Sequence, residues 1–197
     1  MTVAVCAQPV SSAEVFDYWA GELDERDGTR IEDHVFACAA CATTLADGEA
    51  LASGVRRLVR SGTFHALVTD TVLNRLARDG VRLRTYALGP GDVVPCAVWD
   101  GDDVVVTRLR GDFSGVDAVS VVATLATGEE LTRSEGITIR PGQHELINAI
   151  SAPLVRQMPA TTVRWRVTGR RDGADRLLGE YTLTHEGSLQ RGSFQDR

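Results

Sequence analysis

Lysine is absent from the 197-residue chain, so all 21 of its Lys and Arg cations are arginines, a bias we assign to coding preference and not to function. No apolar run approaches the roughly eighteen residues that a membrane-spanning helix needs, and no charged start leads into an apolar core of the signal-peptide kind. These absences argue against a membrane or secreted location and predict a cytoplasmic protein. Disulfides are rare in that compartment, so the four cysteines point to metal or redox chemistry and not to a disulfide framework. Gly-x-Ser-x-Gly and phosphate-loop motifs are also missing, and no catalytic constellation stands in their place. The expectation is a protein that is not an enzyme.

The net charge of -6 is unevenly spread: residues 1–62 hold ten acids and five arginines, whereas residues 63–197 hold seventeen acids and sixteen arginines. The front third lacks the clustered cations that phosphate neutralisation requires, which disfavours direct contact with nucleic acid. A basic protein partner suits its acidity better.

What is present begins with helix signals. Ser11-Ser12-Ala13-Glu14 is a capping box, opening a helix that carries Val15, Phe16, Tyr18 and Trp19 and stops near Gly21. Asp24-Glu25-Arg26-Asp27 places acids where the helix dipole favours them, starting a second helix that runs to about Cys38. A third follows from about Ala42 to Arg60, with Leu45, Leu51, Val55, Leu58 and Val59 at helical spacing. Ser61-Gly62-Thr63 breaks it. Thr63 then caps a fourth helix to Asp79, an amphipathic segment whose stripe is Phe64, Leu67, Val68, Val72, Leu73 and Leu76.

From Val81 the period becomes two, as in half-buried strands. Strands are predicted at 81–88, 93–99, 104–109, 118–125, 130–132, 136–139, 145–150, 162–168 and 177–185, joined by Gly- and Asp-rich turns, with a short helical piece at 152–158. The fold class is therefore α+β: an N-terminal three- to four-helix bundle followed by an antiparallel β-sandwich. The domains are 1–62 (helical), 63–80 (linking helix), 81–187 (sandwich) and 188–197 (loose polar tail). Val163, Trp165 and Val167 alternate with Arg164 and Arg166, giving an apolar and a cationic face. The latter would meet either an acidic ligand or acids of the next strand.

Chemistry concentrates in His34-Val-Phe-Ala-Cys38-Ala-Ala-Cys41. On a helix His34 and Cys38 share a face, and Cys41 follows three residues later. Thiolate and imidazole are the usual ligands of structural zinc, which needs four. Cys6 is the natural fourth ligand, as the one cysteine or histidine before His34, with a carboxylate, water or His65 as alternatives. Cys96 is expected to be a buried strand thiol, and the acids at 100, 102 and 103 to be turn formers.

Tyr18-Trp-Ala-Gly-Glu-Leu23, Asp24-Glu-Arg-Asp27 and His34-x3-Cys38-x2-Cys41-x3-Leu45 together resemble the zinc-binding anti-sigma factor domain, over about residues 9–60. The family's first ligand lies closer to the Gly-Glu-Leu corner than Cys6 does, and Pro9 stands there in this chain. The resemblance implies zinc held by Cys6, His34, Cys38 and Cys41, structural or redox-sensing. It also implies a transcription regulator that sequesters a sigma factor of the extracytoplasmic-function type. Phe16 and Trp19 on the first helix and Leu67, Leu73 and Leu76 on the fourth are the expected partner contacts. A zinc-fold protein–protein adaptor, or a ligand-binding protein acting through the sandwich, are the alternatives. The β half lacks the His-x-His cluster of a cupin, and its small-molecule or protein signal is open.

Overall fold

Two side chains start the first helix. The N–H of Glu14 donates to Ser11 Oγ at 3.2 Å and the N–H of Ser11 donates to the Glu14 carboxylate at 2.8 Å, so α1 (Ser12–Ala20) opens on the predicted capping box. Val10 and Val15, the residues just before the cap and one turn inside, are both buried in one cluster; this hydrophobic staple sets the angle at which the preceding chain enters the helix. Gly21 closes α1 in the left-handed region at φ 69°, which a side chain resists. Asp24 caps α2 (Glu25–Ala37) through the N–H of Asp27, and α3 (Ala39–Arg60) follows.

The computed structural model describes residues 6–171 and 174–189. They form two units. The helical unit takes the chain as far as Ser61 and again from Thr69 to Val81, and the β unit takes Gly62–Val68 and everything from Arg82 onward.

That interleaving corrects the predicted fourth helix. His65–Val68 is a strand, β1, and only Asp70–Arg78 is helical, α4. β1 pairs antiparallel with β7 (Glu145–Ser151), from His65 opposite Ile150 to Val68 opposite Ile147. The N–H of Phe64 donates to Ser151 Oγ at 2.9 Å, and the N–H of Ser151 to the Phe64 carbonyl at 2.7 Å. Partners about eighty residues away in the chain thus override a helical spacing read locally. Thr69, not Thr63, is the cap residue of α4.

In the helical unit α1 packs against α3 and α4, and α2 against α3. α1 has no basic residue in its own last turn. Arg75 Nη1 donates to the Trp19 carbonyl at 2.9 Å and Arg78 Nη1 to the Ala20 carbonyl at 2.7 Å, so α4 supplies the cations that complement the C-terminal end of α1. The Arg75 guanidinium also lies 5.6 Å from the centre of the Trp19 ring, within cation–π range.

The β unit holds two sheets, ordered β1-β7-β4-β2 and β3-β9-β8-β5-β6. The remaining strands are β2 (Leu83–Leu88), β3 (Val93–Trp99), β4 (Val104–Arg110), β5 (Ala118–Leu125), β6 (Glu130–Thr138), β8 (Thr161–Arg171) and β9 (Ala174–Leu189). The core contains Leu88, Val105, Leu109 and Leu146 of the first sheet and Val98, Val121, Trp165, Val167, Tyr181 and Leu183 of the second. The short helix α5 (Ala152–Gln157) adds Ala152 and Val155 to it.

Both sheets are mixed, which corrects the antiparallel sandwich. β2 runs parallel to β4, and β3 runs parallel to β9. The turn at 89–92 does not make a hairpin; it moves the chain from one sheet to the other, and β4 returns beside β2. Alternation reports which face of a strand is buried, whereas neighbour and direction are set by long-range pairing. The two predicted pieces at 130–132 and 136–139 are one continuous strand, β6. β9 extends through Leu189, and the rest of the expected loose tail lies outside the described residues.

Candidate metal centre

The four expected ligands come together from three segments of the helical unit. His34 stands on the last turn of α2. Cys38 is the shared hinge residue, C-cap of α2 and N-cap of α3, in extended backbone at φ -129° and ψ 103°. Cys41 lies on the first turn of α3. The chain bends by 119° between the two helices, so His34 and Cys38 do not share a continuous helix. The hinge instead turns His34 and Cys41 toward one point. Cys6 arrives from the segment whose course the Val10–Val15 staple fixes.

His34 Nε2 lies 3.3 Å from Cys6 Sγ and 3.2 Å from Cys41 Sγ, and the ligand atoms of Cys6, His34, Cys38 and Cys41 all fall within 4.8 Å of one another. A tetrahedral zinc ion with ordinary bond lengths sets nitrogen and sulfur about 3.6 Å apart. The set therefore matches zinc in chemistry and nearly in spacing, and all four cysteines of the chain are free thiols. Cys41 is 2% exposed and packs with Val10, Val15 and Ile31, while Val35, Leu45 and Leu23 press on the same cluster. The site thus has an apolar floor on one side and partly exposed Cys6, His34 and Cys38 on the other.

The start of α3 tunes the thiols. The backbone N–H of Cys41, and next the Cys6 thiol, hold the Cys38 thiol below its ordinary value, which favours the thiolate that binds metal. Cys6 moves the other way. The backbone at Gln8 favours its thiolate, but burial and the neighbouring Cys38 and Cys41 outweigh this and raise its pKa.

Residues 13–42 match the family model described as "Putative zinc-finger". The front of the chain carries this zinc finger. Its match ends one residue past Cys41 and begins after Cys6, so three of the four ligands fall inside it and the fourth is contributed by the preceding segment. The donor set is that of zinc, and Cys6, His34, Cys38 and Cys41 are the residues that would hold it. No curated protein matches the chain significantly. Among solved structures, the chain is similar to the N-terminal domain of phage TP901-1 ORF48, at 9% identity and a TM-score of 0.32, covering 54% of this chain and 99% of that one.

Several of the polar residues singled out beyond the zinc finger have partners within the fold. His65 Nε2 meets Asn148 Oδ1 at 2.9 Å, which ties β1 to β7 and removes it as a ligand candidate. Cys96 is fully buried, and burial pushes its thiol up. Asp102 pairs with Arg84 at 3.0 Å and accepts the N–H of Trp99, and Asp103 pairs with Arg82 at 3.3 Å, so these acids brace the turn. Of the two arginines of the predicted cationic face, Arg166 pairs with Glu180 of the neighbouring strand at 2.7 Å, and further along β8 Arg170 pairs with Asp175 at 3.1 Å. His185 is buried, and neither ring nitrogen has a hydrogen-bond partner among the described residues, which no local motif signals.

Of the expected partner contacts, Trp19, Leu73 and Leu76 are buried. Phe16 is 36% exposed and its ring sits 5.6 Å from that of Trp19; Leu67 is half-buried in β1. Reading the sequence missed Phe36, which is 91% exposed. Its signal was an aromatic off the apolar face defined by Ile31 and Val35. No single helix among the described residues is long and apolar enough to cross a membrane.

Proposed function

We propose that this protein is a non-catalytic, cytoplasmic anti-sigma factor that sequesters a sigma factor of the extracytoplasmic-function type through its zinc-binding helical unit. One observation carries it: the Cys6-His34-Cys38-Cys41 cluster built on a zinc finger whose flanks resemble the anti-sigma domain. The acidity of residues 1–62 supports a basic protein surface as the partner.

The zinc is structural in this reading. The cluster joins the segment before α1 to the α2–α3 hinge in a unit with a small apolar core, where metal binding contributes directly to folding. The β unit receives the signal. Its loops between β4 and β5 and between β6 and β7 line a cleft of about 290 Å³ that includes Asp112, Phe113, Arg140 and His144.

The test is binding and transcription. Sigma factors of the extracytoplasmic-function type from the source organism, purified one at a time, are titrated with the zinc-loaded full chain. One should bind and lose promoter-dependent transcription in proportion to the amount added. Binding to none of them would sink the proposal.

A further inference from the structure

Phe36 is the most exposed large apolar side chain among the described residues, at 91%. It stands between two of the zinc-finger ligands, His34 and Cys38, on the last turn of α2. Residues three, four and eleven positions earlier on a helix share its face, and here these are Asp33, Glu32 and Glu25, all exposed. The adjoining Arg30 is already engaged, bonded to Glu14 at 2.7 Å and near Asp27 at 3.6 Å. Glu25 and Asp33 have no ion-pair partner among the described residues. Glu32 accepts the Tyr18 hydroxyl at 2.8 Å and so belongs to the packing of α1 on α2, which leaves the side chains of Phe36, Glu25 and Asp33 as the part of this face that no described contact of the helical unit uses.

The geometry points to Phe36 as the apolar anchor of the partner interface, inserted into a hydrophobic pocket of the sigma factor whose rim carries arginine or lysine facing Glu25 and Asp33. This rests on the anti-sigma reading above and adds what that reading leaves open, the face that docks and the side chain that carries its affinity. An exposed aromatic surrounded by charge is the arrangement expected of an interface hot spot, where one buried ring dominates and the rim sets orientation and association rate. Because Cys38 ends α2, the metal cluster also fixes the helix turn from which Phe36 projects.

The experiment titrates the zinc-loaded full chain and its Phe36→Ala variant against the sigma factor that binds the wild type, by calorimetry, with zinc content and helical circular dichroism measured on both. Phe36 makes no core contact, so both controls should be unchanged. The expected result is a loss of affinity of about tenfold or more. A loss smaller than this with the wild type binding normally overturns the anchor and leaves the anti-sigma reading intact. Failure of the wild type to bind any sigma factor overturns both. The pair Glu25→Gln and Asp33→Asn should slow association at low salt and have little effect at high salt, where screening has already removed their contribution; an association rate unchanged at low salt overturns the basic rim.

Discussion

Arg78 Nη1 donates to the carbonyl oxygen of Ala20 at 2.7 Å, so the last turn of α1 is completed by a side chain fifty-eight residues away. Arg75 does the same for Trp19 while lying over its ring. Arg75→Ala should destabilise the helical unit by about 2 kcal/mol and the more exposed Arg78→Ala by about 1 kcal/mol. Urea unfolding followed by helical circular dichroism measures both. Equal stability of wild type and Arg75→Ala would remove α4 as a cap of α1.

Gly21 sits at φ 69°, and a Cβ there would approach Arg78 Nη1 to 2.9 Å. Gly21→Ala should therefore cost about 1–2 kcal/mol, from the left-handed backbone and from displacement of the guanidinium. In combination with Arg78→Ala the two losses should sum to less than their separate values, because the second change removes the obstruction.

Zinc removal should unfold the helical unit first. Chelation is expected to erase most of the helical signal while the β signal persists, and Cys6→Ser and Cys41→Ser should each weaken zinc binding more than about 100-fold. Cys96→Ser should leave zinc content unchanged. Full zinc in Cys6→Ser would exclude Cys6 as the fourth ligand.

The Glu14 carboxylate is held at about 2 by the backbone N–H and hydroxyl of Ser11 and by Arg30. A folded value below the ordinary 4.5 means that this stabilisation is complete above about pH 4.5 and is lost as pH falls toward 2. Thermal unfolding of wild type and Glu14→Gln across that window should show the two converging at the acid end. A constant difference down to pH 2 would contradict the assignment.

Ser151→Ala removes the hydroxyl that accepts the buried N–H of Phe64. It should destabilise the β unit by about 1–3 kcal/mol and increase hydrogen exchange at residues 65–68 more than at 70–78. Uniform change across 63–79 would favour one continuous element over a strand followed by a helix.

How far the sequence foretold this arrangement follows from the range of the forces involved. The capping box at Ser11 and Glu14, the stop at Gly21 and the cap at Asp24 are local chemistry, and the helices begin and end there. The ligand triplet was visible because its spacing lies within two turns, and Cys6 because little else preceded it. The spacing left the hinge at Cys38 unread, since a helix reaching Cys38 and a helix ending beside it carry the same letters. β1 was hidden because Phe64, Leu67, Leu73 and Leu76 fit a helical period while His65–Val68 pairs with residues 147–150. The parallel pairings of β2 with β4 and β3 with β9 lay beyond alternation, which is identical for either strand direction. Phe36 lies off the apolar face of Ile31 and Val35, but periodicity alone does not tell an exposed aromatic from one covered by a neighbouring helix.

The excursion of the chain into the sheet at β1 and back out at α4 has a practical meaning for anyone who would divide the protein. Cutting near residue 62 leaves the helical piece without the arginines that finish α1. Cutting near residue 80 strips the sheet of its border and bares β7, whose Leu146, Ile147, Ala149 and Ile150 then form an apolar strand edge open to self-association. The two units are stitched by a shared thread, and neither is a clean fragment of the gene.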